Sequence, residues 1–357
     1  MPRTACGPSG LALAPEAMSG AAGNQTSGGT MWRGMRMLLV VLATVTATVA
    51  THAADFGTMR IGVLKFGTVS WELDVIKAHG LDAKEGFTLE VVPFGGNDAA
   101  DVALMGGAVD AVVEDWLFVS RQRHDGVPLT FIPYSRSVGA VMVAADSPIT
   151  SVADLADKRI GVAGGALDKG WLMLQAYAKQ EAGIDLARDA EPVYGAPPLL
   201  TEKLKSGELD AALNYWHFGA RLEAQGYRRL IGIGEVQEAL GVPASVPQLG
   251  YIFHEPWADA HPDLVLAFSR ASRAAKQLML TDDAEWQRLM PLTRAENEAE
   301  LDAFMRRYRE GIVEHWGPEQ QAEAAKLYLV LAELGGERLV GQGQELAPGT
   351  FWPKLSY

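Results

Sequence analysis

From residue 60 onward, short unbroken apolar runs alternate with longer stretches whose apolar positions recur at helical spacing. Arg60-Ile61-Gly62-Val63-Leu64 is the first such run, and Lys65 to Trp71 leads from it into a helical pattern with Leu73, Ile76 and Lys77 on one face, stopped at Gly80. Ser70 is the expected N-cap, and Glu72 and Asp74 suit the positive end of the helix dipole. A second strand is predicted over 87–92, ending in Pro93-Phe94-Gly95-Gly96-Asn97, and then a helix over about 98–105. This β-α-β order predicts a mostly parallel sheet with helices on both faces.

The pattern then repeats itself. Met105 to Trp116 (MGGAVDAVVEDW) is echoed by Lys205 to Trp216 (KSGELDAALNYW), with Gly, Asp, Ala and Trp in register, and Arg60-Ile61-Gly62-Val63 is echoed by Arg159-Ile160-Gly161-Val162. Two matches at nearly one offset indicate a duplicated unit of about a hundred residues, too long for a solenoid repeat. Each copy reads as a helix closed by Gly, an apolar strand, and polar and aromatic residues where the strand stops. In an open α/β sheet that last position faces a ligand crevice. Asp168 is the expected cap of a helix continuing through Trp171, Leu172, Leu174 and Tyr177, with its first amides directed at the cleft. The C-terminal part is helical, with predicted helices from Pro262, over about 295–315, and over 318–334.

Charge narrows the partners. The 357-residue chain carries 31 basic and 44 acidic residues, net −13, and has no basic stripe, so nucleic acid is not expected. Residues 1–53 read as a leader and signal peptide: Met31-Trp32-Arg33-Gly34-Met35-Arg36 is a charged start, Met37 to Ala50 a short apolar run, and Thr51 and Ala53 suit cleavage before Ala54. Met31 is the expected true start. The single cysteine, Cys6, lies before that site, so the mature chain is expected to have no disulfide, thiolate metal site or lipoprotein anchor. Histidine spacing offers no metal motif, Gly164-Gly165 lacks the Gly-Lys-Ser/Thr of a phosphate loop, and no cofactor or catalytic group is expected.

Several stretches together resemble the type II periplasmic solute-binding proteins of ABC importers, in the group serving nitrate, taurine, aliphatic sulfonates and thiamine-pyrimidine precursors. They are the Arg-Ile-Gly-Val strand, Met105 to Val112, the linker Val141 to Ile149, Val152 to Val162, and His261 to Phe268. The resemblance implies an α/β fold of two lobes joined by two hinge crossovers: lobe I from 54–144 plus 250–357, lobe II from 145–249. It also implies a monomer in the periplasm that closes on a small solute and meets an inner-membrane permease with its ATPase. Sulfonates or taurine come first as ligands on family frequency, and a heterocycle or amine second on local chemistry. The alternatives are an enzyme like the eukaryotic thiamine-pyrimidine synthase, whose Cys-rich motif is missing here, or a sensor or accessory subunit of another exported system.

The candidate ligand-binding residues sit at strand ends: Thr68, Ser70, Trp71, Asn97, Glu114, Asp115, Trp116, Ser135, Asp168, Trp171, Tyr194, Asn214, Tyr215 and Trp216. Tryptophan offers a broad apolar face and one N–H donor to a small organic solute. The plainer alternative is that each tryptophan packs its own lobe. Glu114 and Asp115 would repel an anion unless paired, or would simply begin the next helix in solvent. Asp168 would satisfy the helix amides that an anion would otherwise use. Arg136 could reverse the argument by binding a carboxylate or sulfonate, and His217 could reach a ligand.

Overall fold

The computed structural model describes residues 55–65 and 67–357; the expected leader and signal peptide lie outside them. Ten strands are described: β1 (Thr58–Leu64), β2 (Thr88–Phe94), β3 (Val112–Asp115), β4 (Leu129–Ser135), β5 (Gly139–Val143), β6 (Arg159–Ala163), β7 (Glu191–Gly195), β8 (Ala211–Tyr215), β9 (Arg228–Gly232) and β10 (Leu249–His254). They pair as β1-β2, as β3-β10-β4, and as β7-β6-β8-β5-β9. A parallel bridge between Ile61 and Ala111 joins the first two groups, giving the order β2-β1-β3-β10-β4.

The two five-strand orders are equivalent. In each, the first two pairings are parallel, and a strand that has crossed from elsewhere in the chain inserts antiparallel in fourth place, β10 in one and β5 in the other. The sheets are therefore mixed, but four of each five strands run in one direction, as the mostly parallel expectation requires, and only the inserted strand runs against them. β5 pairs with β8 and β9, so its residues belong to the second sheet, whereas the sequence-based lobe boundary falls after them.

The sequence echo has a physical basis. Asp110 accepts the Arg60 backbone N–H at 2.8 Å and its guanidinium at 2.6 Å, tying β1 to the start of β3. Asp210 accepts the Arg159 backbone N–H at 2.8 Å, tying β6 to the start of β8. The Gly-x-x-Asp and Arg-Ile-Gly-Val motifs thus meet in space in each copy.

Helices flank these sheets close to where the apolar spacing puts them. They include Val69–Ala78, Asn97–Met105, Trp116–His124, Lys169–Ala182, Trp216–Ala224, Pro262–Thr281, Glu298–Glu310 and Pro318–Gly335. The first is capped at Thr68 with no side-chain bond; Ser70 instead donates to the Gly67 carbonyl. Beneath it, fully buried Glu72 accepts from Tyr251 Oη at 3.0 Å and Ser272 Oγ at 2.6 Å and pairs with Lys276 Nζ at 2.5 Å. A buried ion pair is tolerated when its remaining hydrogen-bonding capacity is met in this way. Among the described residues, no helix is long and apolar enough to cross a membrane.

Candidate functional site

A cavity of about 280 Å³ opens at the carboxyl ends of β1, β3 and β8. It is bounded by Thr68, Asn97, Glu114 and Asp115 from the first sheet and its loops, and by Asp168, Lys169, Tyr215 and Trp216 from the second. Val63, Val113, Val138 and Leu249 supply apolar wall. The position follows from topology: in α/β sheets the crevice beyond the strand ends lies where loops diverge.

Two helix starts define its polar character. Asp115 caps the Trp116–His124 helix, accepting from Phe118 N at 2.8 Å, and Asp168 caps the Lys169–Ala182 helix, accepting from Trp171 N at 3.1 Å. Lys169, on the second helix, reaches back to Asp115 at 2.9 Å. This ion pair joins the two halves across the cavity. Burial works against the Asp115 carboxylate, but the ammonium and the Phe118 N–H overcome it and hold the group below its ordinary value. Burial likewise opposes the Lys169 ammonium, yet Asp115, Asp168 and Glu114 raise it above its ordinary value. Burial raises Asp168, with Lys169 and the helix amides only partly offsetting it.

Glu114 differs from these. Burial, then the neighbouring carboxylates Asp115 and Asp101, push it from an ordinary 4.5 up to about 8. Asp101, on the Asn97–Met105 helix, is itself pushed up to about 6 by burial and Asp98, and its Oδ1 is buried without a hydrogen-bond partner. His217, also against the cavity, is pushed down to about 4 by burial and Arg221 and is therefore neutral at neutral pH.

Of the sequence-selected residues, Thr68, Asn97, Glu114, Asp115, Asp168, Tyr215 and Trp216 line the cavity together. The others are placed elsewhere. Trp116 is 1 % exposed, with its Nε1 donating to the Pro247 carbonyl at 2.9 Å and its ring beside Phe351. Trp171 is equally buried in the core, and Trp71 lies 4 % exposed among Trp286, Phe304 and Tyr308, with its ring centroid 5.7 Å from Trp216. Asn214 is buried and spends its amide on Pro197 O and Thr201 Oγ1, because the pleat turns it to the face opposite Tyr215. Tyr194 is exposed at the end of edge strand β7, and Ser135 bonds the Gly311 carbonyl and the Ser137 N–H. Arg136 donates to the carbonyls of Ile312 and Glu310 and faces a separate space of about 210 Å³ behind Trp216 and Val138.

Lys169, Ser137, Val138 and Leu249 were not singled out by sequence reasoning. Lys169 had a usable signal, a cation directly following an expected helix cap. Ser137 and Val138 lie on the crossover before β5 and Leu249 at the start of β10, where local pattern says nothing about a distant crevice.

Among solved structures, the chain is similar to the alkanesulfonate-binding protein SsuA from Xanthomonas axonopodis pv. citri bound to MOPS. The two are 19% identical over 84% of this chain and 100% of that one, with a TM-score of 0.64. The periplasmic aliphatic sulphonate binding protein SsuA from Escherichia coli is 19% identical over 83% of this chain and 97% of its own, with a TM-score of 0.66. The desulfurization enzyme DSZB is 16% identical over 83% and 96%, with a TM-score of 0.55. The fold is thus the two-lobed α/β fold of these proteins. No curated protein matches the sequence. The family described as NMT1/THI5 like matches residues 75–285, more than half of the chain, and the protein belongs to that family.

Proposed function

We propose that this protein is the periplasmic solute-binding component of an ABC importer, capturing a small organic molecule between two lobes and performing no chemistry on it. The observation that carries this reading is the Asp115–Lys169 pair, which spans a cavity walled by the strand ends of both sheets. A solute touching both walls would favour the closed arrangement by its differential affinity, and a permease could read closure as occupancy. The lobes would follow the two sheets, near 54–144 plus 250–357 and 145–249, with β5 grouped with the second. Export through a cleaved signal peptide, a monomeric state, and a permease with its ATPase as partners complete the proposal.

An aliphatic sulfonate or taurine is the first ligand to try, because two similar structures are named for sulfonates. The carboxylates in this cavity weigh against it. Native mass spectrometry of freshly purified protein tests the reading: a stoichiometric co-purifying solute released on denaturation is expected. No solute, together with no shift in thermal unfolding across sulfonates, nitrate, amines and pyrimidines, would overturn it.

The similarity to DSZB keeps an enzyme in view, as does the resemblance to pyrimidine synthases. Incubation with pyridoxal phosphate and iron that yields a pyrimidine product would favour the enzyme. Co-purification with a non-transport complex would favour an accessory subunit.

A further inference from the structure

We propose that the cavity takes a small organic cation, an ammonium or amidinium head on a compact apolar body, with the Glu114 carboxylate as counter-ion to the head and the Trp216 face against the body. The inference rests on the solute-capture reading and names its ligand class.

Charge bookkeeping around the cavity is the first support. Among the described residues no arginine lines it, and the single ammonium, Lys169, is bonded to Asp115. Asp115 and Asp168 are both engaged with their helix amides. Glu114 has no ion-pair partner among the described residues, so it is the carboxylate left for a ligand. An anion entering here would find its one facing cation, Lys169, already neutralised by Asp115, and two further acids, Glu114 and Asp168, that turn repulsive as they ionise.

The duplicated architecture supplies the second support. Glu114 opposes Gly250 of the inserted strand β10, and Asn214 opposes Ala140 of the inserted strand β5, so the two occupy equivalent places. Asn214 is buried, neutral and hydrogen-bonded within its own half. The fold therefore accepts a neutral residue at this place and does not itself require Glu114. A half-buried acid beside two other carboxylates costs stability, and a bound cation would offset that cost.

Proton linkage gives a distinctive test. Without a ligand cation, Glu114 stays protonated up to about 8. Binding an ammonium would ionise it and release a proton, so affinity should rise by up to about tenfold per pH unit below that value. The groups facing Glu114 do not reverse this slope. Asp115 is already ionised and Lys169 charged; Asp101 and Asp168, as they ionise, add to the attraction; Tyr215, raised by burial, and His217 stay neutral. A sulfonate would show the opposite slope.

The experiment is calorimetric titration of the purified protein with probes of one body and three charges: butylammonium, butan-1-ol and butane-1-sulfonate, with benzamidinium as a second cation. Titrations run near pH 6, 7 and 8 in buffers of different ionisation enthalpy. The expected result is cation binding that tightens with pH, releases close to one proton near pH 6 and about half a proton near pH 8, and is at least about tenfold tighter than the sulfonate. In E114Q the cation should weaken about tenfold or more and lose its pH slope, while thermal unfolding at pH 8 shows the variant folded. Sulfonate binding tighter than cation binding, or an unchanged cation slope in E114Q, would overturn the cation inference and leave solute capture standing. If no probe of any charge binds and no solute co-purifies, both fall.

Discussion

The strand ends Glu114-Asp115-Trp116 and Asn214-Tyr215-Trp216 occupy equivalent places in two equivalent sheets, yet their side chains have different fates. Trp116 is sealed into the core under Pro247 and Phe351, both contributed by later parts of the chain. Trp216 stays half-buried against the cavity, its ring edge-on to Trp71 and near Tyr308. Asp115 carries an ion pair across the cavity where its counterpart Tyr215 carries a hydroxyl. Duplication therefore fixes the route of the backbone. What packs over each copy afterwards decides which side chains are left for a ligand.

Breaking the tryptophan comparison should produce the largest effect. Trp116→Ala removes a fully packed ring and should cost about 3–5 kcal/mol in denaturant unfolding. Trp216→Ala should cost about 1–2 kcal/mol, and its main effect should be on solute affinity. Equal destabilisation by the two variants would show that the halves are not differently covered.

The Glu114 and Asn214 comparison is sharpened by pH. Because the folded-state value of Glu114 lies at about 8 against 4.5 for the ordinary group, the folded protein holds the proton more tightly than the unfolded chain. Stability should therefore fall as pH rises from about 4.5 to 8, by up to about 5 kcal/mol from this group at about 1.4 kcal/mol per pH unit. Glu114→Gln should flatten that limb of the melting temperature against pH. An unchanged profile would remove the assignment.

Lys169→Met should cost about 1–2 kcal/mol at neutral pH, since it leaves the Asp115 carboxylate without its cation. Asp115 is held below its ordinary value, so its contribution is present above that value and lost as pH falls through the folded-state value. The variant should lose that acid limb. Small-angle scattering that showed no opening of the ligand-free variant would argue that the pair does not hold the halves together.

The smallest contrast concerns the two arginine clasps. The Asp110 side chain is 4 % exposed and bonds both the Arg60 amide and guanidinium, whereas that of Asp210 is 38 % exposed and stands 3.7 Å from the Arg159 guanidinium. Asp110→Asn should cost about 1 kcal/mol and Asp210→Asn about half that or less, read from chemical denaturation. The reverse order would contradict the difference in burial.

Much of the frame was legible because its signals are local and repeated. The Arg-Ile-Gly-Val strands, the Gly-x-x-Asp turns, the Asp168 cap and the Pro262 helix start each depend on a few neighbouring residues. Seven of the selected residues line the cavity for the same reason: the end of a strand in this topology points to the crevice. The selection failed where direction depended on partners far along the chain. Trp71 and Trp171 went to the core, Asn214 was taken by Thr201 and Pro197, and Ser135 was taken by Gly311.

By itself the sequence determined the two-copy plan, the succession of strands and helices within each copy and the acidic character of the crevice, because apolar period and turn chemistry are written in adjacent residues. Only the tertiary structure decided that Lys169 would meet Asp115 across the cavity and that Trp216, not Trp116, would border it. Both tryptophans begin a helix directly after a strand, where neither the strand nor the helix period fixes a side chain's direction. Coverage by residues more than a hundred positions away set it instead.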